Sequence, residues 1–419
     1  MYNKTVLKNG ARIITEKLDH FRSISLGIWV GTGSRDEMEE ENGISHFIEH
    51  MIFKGTGRRN SQQIARELDA IGGFSDAFTC KEYTCFHSKV IDDHFPLLTD
   101  ILSDIFFNSI YDPEEIAKEK EVIFQEINMV DDSPDEFIHD ILCGLYWSDH
   151  PLGRSVLGTN HSVSQINRDG ILNFIERFYT PDRIIISAAG NIDHDNLVSR
   201  FESILSSRNG TRFSIPANDP KIHSDVLSLY RKLEQVHICL GGSAPKLLDD
   251  IRFACAILNT ILGGNMSSRL FQEIRERRGL AYSVYSFVNS YLDTGIFGVY
   301  AGTDKRNVNT VLGIINSEIK KIQDGEVTQD DVDQARDHLI GGILLGAESS
   351  DTRMLRHAKN EFLFGRHVGF KEVVENLKGV TLDEVVNCAK RAFRPNEVSL
   401  ATLGPIRQDE LDLDCMRFD

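Results

Sequence analysis

Paired cysteines, long apolar runs and positive charge are all scarce in this chain of 419 residues. The seven cysteines (Cys80, Cys85, Cys143, Cys239, Cys255, Cys388, Cys415) are odd in number and scattered, and none forms a Cys-x-x-Cys pair. That excludes a zinc ribbon and argues against a disulfide framework; free thiols in a reducing compartment are the expectation. No run of 18 apolar residues occurs, so no membrane-spanning helix is expected. Residues 1–17 lack an apolar core, an Arg-rich amphipathic stretch and a cleavage site. No signal or transit peptide is visible, and a mature form with its leader removed would read the same way. With 46 basic against 63 acidic residues the formal charge is −17. Such a field repels phosphate and speaks against a nucleic-acid partner. It favours neutral or cationic partners, including cationic peptides, or serves solubility alone.

What remains is ordinary globular material, 41% hydrophobic and 26% charged. The length suits two to four domains. A hairpin is expected at the start, Thr5–Leu7 with Ala11–Thr15, turned at Asn9-Gly10. The polar stretch 206–225 reads as a linker between a first domain, 1–205, and a second, 226–419. Each half opens on a β-branched strand, Ser23–Val30 and then Val236–Gly242. Helix-like segments follow, Asn42–Phe53 and Ile251–Leu262. Long amphipathic helices come next: Ser61–Ile71, Phe95–Phe107, Pro113–Met129 and Ile166–Tyr179 in the first half, then Asn307–Gln323, Gln329–Ala347 and Leu382–Ala392 in the second. Strands close both halves, Arg183–Ala189 and Val398–Leu403. The expected class is α+β: two similar layered domains, each an antiparallel-rich sheet packed by helices, related by internal duplication.

The informative motif is His46-Phe-Ile-Glu49-His50. Histidines four apart lie one above the other on a helix, so both imidazoles reach one metal ion. Glu49, one turn after His46, sits beside the same point. Zinc held by two His, with an unliganded carboxylate next to its water, is the minimal apparatus of metal-assisted hydrolysis. The order His-x-x-Glu-His inverts the commoner His-Glu-x-x-His. In a chain this acidic one such spacing can arise by accident, so a third ligand is required. At the equivalent place in the second half stands Cys255-Ala-Ile-Leu-Asn-Thr, so only the first half can hold the metal. Along Pro113–Met129, Glu119 and Glu126 are two turns apart and share a face. Glu126 suits a ligand and Glu119 a supporting hydrogen bond. Spacing alone equally fits a solvated acidic face paired with Lys118 and Lys120.

Taken together, these residues resemble the pitrilysin-type inverzincin metallopeptidases, over nearly the whole chain. The likeness is to their short branch, which includes the catalytic subunit of the mitochondrial processing peptidase and its bacterial relatives. In that pattern the liganding Glu follows His-x-x-Glu-His by some 75 residues, as Glu126 follows His50, and a second Glu precedes it by seven, as Glu119 does. The resemblance implies a zinc endopeptidase with His46, His50 and Glu126 on Zn²⁺ and Glu49 as general base. Its substrates would be extended peptides or unfolded, presequence-like segments. Gly72–Thr79 resembles the family's substrate-accepting edge strand, which implies substrate contacts at Asp76, Ala77, Phe78 and Thr79; Asp76 stands where Asn is usual. Leu262–Phe271 and Arg275–Tyr282 resemble the segments that complete the site, which implies substrate-holding and oxyanion-stabilising roles for Arg275 and Tyr282. The family's habit implies a homodimer, or a heterodimer with a metal-free paralogue. The expected setting is a bacterial cytoplasm, or a mitochondrial matrix for a mature form. The rival expectation is a non-catalytic partner subunit, whose metal motif would be eroded; here every ligand and base position is intact.

Overall fold

The computed structural model describes residues 1–206, 208, 219–395 and 397–413, so most of the expected linker at 206–225 lies outside the described residues. Among the described residues eleven strands form two sheets. The first contains β1 (Tyr2–Val6), β2 (Arg12–Lys17), β3 (Ser23–Val30), β4 (Phe74–Thr79), β5 (Thr84–Ile91) and β6 (Ile184–Gly190), in the order β1-β2-β6-β3-β5-β4. The second contains β7 (Val226–Tyr230), β8 (Val236–Ser243), β9 (Ala281–Ser290), β10 (Gly295–Thr303) and β11 (Ser399–Gly404), in the order β7-β11-β8-β10-β9.

The sheets repeat one topology. In the first, β2 and β6 are parallel, and β6-β3-β5-β4 continue antiparallel. In the second, β7 and β11 are parallel, and β11-β8-β10-β9 continue antiparallel. β1 is the extra strand, held by the Asn9-Gly10 hairpin, where Gly10 takes φ +92°, a conformation that costs glycine nothing. The duplicated α+β class expected from the sequence is the class observed.

Two compact units result, but they do not follow chain order. The first takes residues 1–129, 154–217 and 346–368; the second takes 130–153, 218–345 and 369–419. Helix Pro134–Tyr146 therefore belongs to the second unit and helix Ser350–Phe364 to the first. Each covers the sheet face left open by its unit's other helices. Met354 and Ala358 pack on Ile14, Trp29, Cys85 and Ile185 in the first unit. Ile138 and Leu142 pack on Cys239, Ile296 and Ala401 in the second. A boundary drawn as 1–205 and 226–419 misses this exchange, because sequence order does not record which sheet face a helix covers.

The opposite face of the first sheet carries the main core of that unit, with Phe47, Ile48, Met51, Leu98, Ile101, Phe174 and Phe178 fully enclosed. Three of these belong to helix Ile44–Met51, which carries the metal motif. Burying such side chains stabilises by about 1.5–3 kcal/mol each, so the helix is fixed by its apolar face and its polar residues cannot rotate away.

Candidate active site

The helix Ile44–Met51 is started by a device that no local cap supplies. Its N-terminal neighbour Gly43 has φ +95°, and a Cβ there would meet the Leu157 carbonyl at 2.7 Å. Glu37 does the capping from a distance. Its Oε1 accepts from the Ser45 N–H at 2.9 Å, and its Oε2 accepts from the Gly43 N–H at 2.8 Å and from Asn42 Nδ2 at 3.1 Å. A carboxylate on the first N–H groups of a helix satisfies orphan donors and complements the dipole. Burial nevertheless pushes the Glu37 carboxyl up to about 7, against those hydrogen bonds. Sequence reading passed over Glu37; its only signal was an acid shortly before a glycine-started helix.

On this helix the imidazoles of His46 and His50 lie with ring centres 4.5 Å apart. Glu126 comes to them from helix Pro113–Asp131: its Oε2 is 3.7 Å from His46 Nε2 and 3.6 Å from His50 Nε2. Among the described residues this is the one group of three His, Cys, Asp or Glu side chains that could hold a metal, one atom of each lying within 4.8 Å of the others. Zinc bonds of about 2.0–2.1 Å at tetrahedral angles imply donor separations of about 3.3–3.5 Å, and the two distances to Glu126 lie within a few tenths of an ångström of that range. The protonation state fits too. Burial, helped by the neighbouring His50, drives His46 down to about 3, so it is a neutral imidazole with a lone pair to offer.

His50 is oriented by the second glutamate. Glu119 Oε1 lies 2.8 Å from His50 Nδ1, and Lys54 Nζ lies 2.5 Å from Glu119 Oε2. This fixes the His50 tautomer and turns Nε2 toward Glu126. Burial raises Glu119, but its bonds to His50 and Lys54 outweigh burial and hold the carboxyl below the usual range. On His50 itself burial works downward, and the bond and charge of Glu119 prevail to raise it. His46 has no such helper: its buried Nδ1 finds no protein partner among the described residues. Glu119→Gln keeps the shape but weakens the grip on the ring, so zinc affinity should fall about 10–100-fold, measured by competition with a chromophoric chelator.

Glu49 stands apart from the three donors. Thr79 Oγ1 donates to its Oε2 at 2.6 Å, tying the carboxylate to strand β4. Burial, with the charges of Glu126 and Asp76, lifts Glu49 above the ordinary carboxylate range against the Thr79 bond and His50. Beside it opens a cleft of about 400 Å³ lined by His50, Phe53, Ile64, Leu68, Ser75 and Ala77.

Strand β4 is the outer strand of its sheet, and its free groups can be assigned. Cys80 donates its N–H to the Tyr83 carbonyl at 2.9 Å, and the register continues with Phe78 opposite Cys85 and Asp76 opposite His87. Antiparallel ladders alternate. Phe74, Asp76 and Phe78 therefore turn their backbone groups to β5, while Ser75, Ala77 and Thr79 turn theirs outward. The Phe78 side chain lies on the sheet face away from Glu49, edge-on to Trp29. Arg275 and Tyr282 belong to the second unit. Arg275 Nη1 donates to the Tyr282 carbonyl at 2.8 Å, its guanidinium lies 4.5 Å from the centre of the Tyr282 ring, and that ring is 77% exposed.

Two imidazoles and a carboxylate from a distant part of the chain gather around one point, with a second carboxylate alongside, on an inverted His-x-x-Glu-His motif that could hold a metal ion. The comparisons place it in a family. The family model described as "Insulinase (Peptidase family M16)" matches residues 12–160, and that of the "Peptidase M16 inactive domain" matches 165–339. The chain belongs to peptidase family M16. An uncharacterized zinc protease of Bacillus subtilis, YmxG, is 38% identical across 97% of this chain and 98% of its own. An uncharacterized zinc protease of Rickettsia felis is 35% identical across 96% of this chain and 98% of its own. The crystal structure of a protease from Helicobacter pylori superposes with a TM-score of 0.89 at 19% identity, over 97% of this chain and 99% of that one, and so shares the fold. Among the described residues no helix is long and apolar enough to cross a membrane.

Proposed function

We propose that this protein is a zinc-dependent endopeptidase that cleaves extended peptides or unfolded, presequence-like segments. The observation that carries the reading is the convergence of His46, His50 and Glu126 beside Glu49, whose Oε2 alone is held by Thr79. Zinc held by those three donors supplies Lewis acidity, polarising a carbonyl and acidifying water. The remaining work falls to the chain's own side chains. Glu49 takes a proton from the attacking water and delivers it to the leaving amine nitrogen. Its burial helps, because a carboxylate raised toward the working pH is the better base. Thr79 holds Oε2, and the other carboxyl oxygen has no protein hydrogen bond among the described residues. The outward N–H and C=O groups of Ser75, Ala77 and Thr79 suit an added strand, bound through its backbone with little regard to sequence. Arg275 and Tyr282 are proposed to bind substrate and to share the charge that develops on the scissile carbonyl oxygen. The working form is proposed to be a homodimer, or a heterodimer with a metal-free paralogue, in a bacterial cytoplasm.

Mass-spectrometric mapping of an unstructured peptide mixture tests the reading. Purified protein should produce internal cleavages, a chelator should abolish them, and added zinc should restore them. Cleavage that persists with the metal removed would refute a zinc mechanism.

A further inference from the structure

We propose that Asp76 is a specificity-determining residue: it blocks the free edge of β4 against neutral strands and yields it to a strand that carries a Lys or Arg opposite this position. The proposal rests on the reading that a peptide substrate adds to β4.

The blocking contact is direct. Asp76 Oδ1 accepts from the N–H of Ala77 at 2.9 Å. Ala77 is the central one of the three residues whose backbone groups face outward, so its N–H is the middle donor of the edge. An incoming strand must offer a carbonyl oxygen to that N–H and expel a carboxylate from it. The exchange replaces a charge-assisted hydrogen bond with a neutral one. It also leaves the displaced carboxylate beside the peptide, in a neighbourhood that already contains Glu49.

A cation on the substrate reverses that balance. Asp76 has no ion-pair partner among the described residues. The nearby lysines are engaged elsewhere, Lys89 with Asp351 at 3.0 Å and Lys54 with Glu119 at 2.5 Å, and burial holds His87, opposite Asp76, below the usual imidazole range despite the Asp76 charge. If the added strand bonds to Ser75, Ala77 and Thr79, the substrate residue opposite Asp76 falls in a non-hydrogen-bonded pair, where Cα atoms approach to about 4.5 Å and side chains are closest. Its side chain lies on the sheet face of Asp76, next to Phe74, which is 60% exposed, and to His87. An Arg or Lys stem lies along the Phe74 ring while its charged end reaches the carboxylate. Opposite charges paired across strands are favoured by up to about five-fold. The cation thus draws Asp76 off the Ala77 N–H and frees the donor that the substrate backbone needs.

The test is a series of unstructured peptides, Gln-rich and neutral, in which a single Lys is moved one position at a time. Two readouts are used: kcat/KM with the zinc-loaded protein, and binding by fluorescence anisotropy to Glu49→Gln, which does not depend on turnover. In both, one Lys position should give an advantage of about three- to five-fold over Gln. Asp76→Ala should erase that advantage and should raise affinity for the all-Gln peptide, since Ala77 is unblocked. Asp76→Asn, which can still accept from the N–H, should erase the advantage without the gain. A Lys advantage that survives in Asp76→Ala, or no advantage at any position, overturns the proposal. If the wild-type protein neither binds nor cleaves any peptide of the series, the fault lies in the peptidase reading, and the proposal falls with it.

Discussion

Glu49→Gln retains one equivalent of zinc and loses hydrolysis. The expected fall in kcat is about 10²–10⁴-fold, the span attributed to a positioned general base. The substitution is nearly isosteric, and Gln can still accept the Thr79 hydroxyl bond that now holds Oε2 at 2.6 Å. The donors His46, His50 and Glu126 are untouched, so metal content should stay at the wild-type level. What disappears is an oxygen basic enough to take a proton from water. KM for a peptide should change little, because the outward backbone groups of β4 remain. His46→Ala makes the contrast, since it removes a ligand and should lose metal and activity together. Metal analysis of both variants beside a peptide cleavage assay separates the roles. Full activity in Glu49→Gln would remove Glu49 from the mechanism.

How far the site could be read in advance depends on the range of the interactions involved. His46, Glu49 and His50 were legible because helical periodicity alone brings them together. Helix Leu382–Ala392 was bounded correctly, and Pro113–Met129 fell two residues short of the observed end at Asp131. Local capping and periodicity set such limits. Glu126 was a different case. Its spacing from Glu119 fixed a shared face and nothing more; family resemblance, not periodicity, singled it out, and the fold brings its Oε2 to within 3.7 Å of both imidazoles. The helices Pro134–Tyr146 and Ser350–Phe364 escaped notice, although Ser133-Pro134-Asp135 and Ser349 are fair start signals. Their exchange between units is a long-range packing choice that no local window contains. The outward direction of Ser75, Ala77 and Thr79 likewise needed the register of β4 on β5, because a slip of one residue would have turned the other set outward.

Glu37 caps the helix from six to eight residues upstream, and its removal should be costly. Glu37→Ala strands the buried N–H groups of Gly43 and Ser45 at the entrance to the helix, while the Asn42 amide keeps its bond to the Ser155 carbonyl at 3.0 Å. At about 1–3 kcal/mol for each of these two unsatisfied donors, the loss should be about 2–6 kcal/mol, read as a lower urea midpoint with an unchanged slope. Zinc affinity should fall with it, since His46 and His50 are held in place by this helix. The pH dependence of the wild type supplies the sign. Burial raises the folded-state carboxyl from 4.5 to about 7. A carboxyl raised in the folded state binds its proton more tightly there than in the unfolded chain. Its contribution is complete below about 4.5 and drains away as pH rises to about 7, by about 3 kcal/mol in all. Glu16, held down to about 2 by His357 and Arg353 against burial, works in the other direction, with stability that fades only as pH falls below about 4.5. The two windows do not overlap, and the difference between wild type and Glu37→Gln isolates the first. Gln cannot ionise, so its stability curve should be flatter between pH 4.5 and 7, and the wild type should lose ground to it steadily across that interval. Parallel curves across the interval would mean that Glu37 is ionised throughout and that its three hydrogen bonds fully offset its burial.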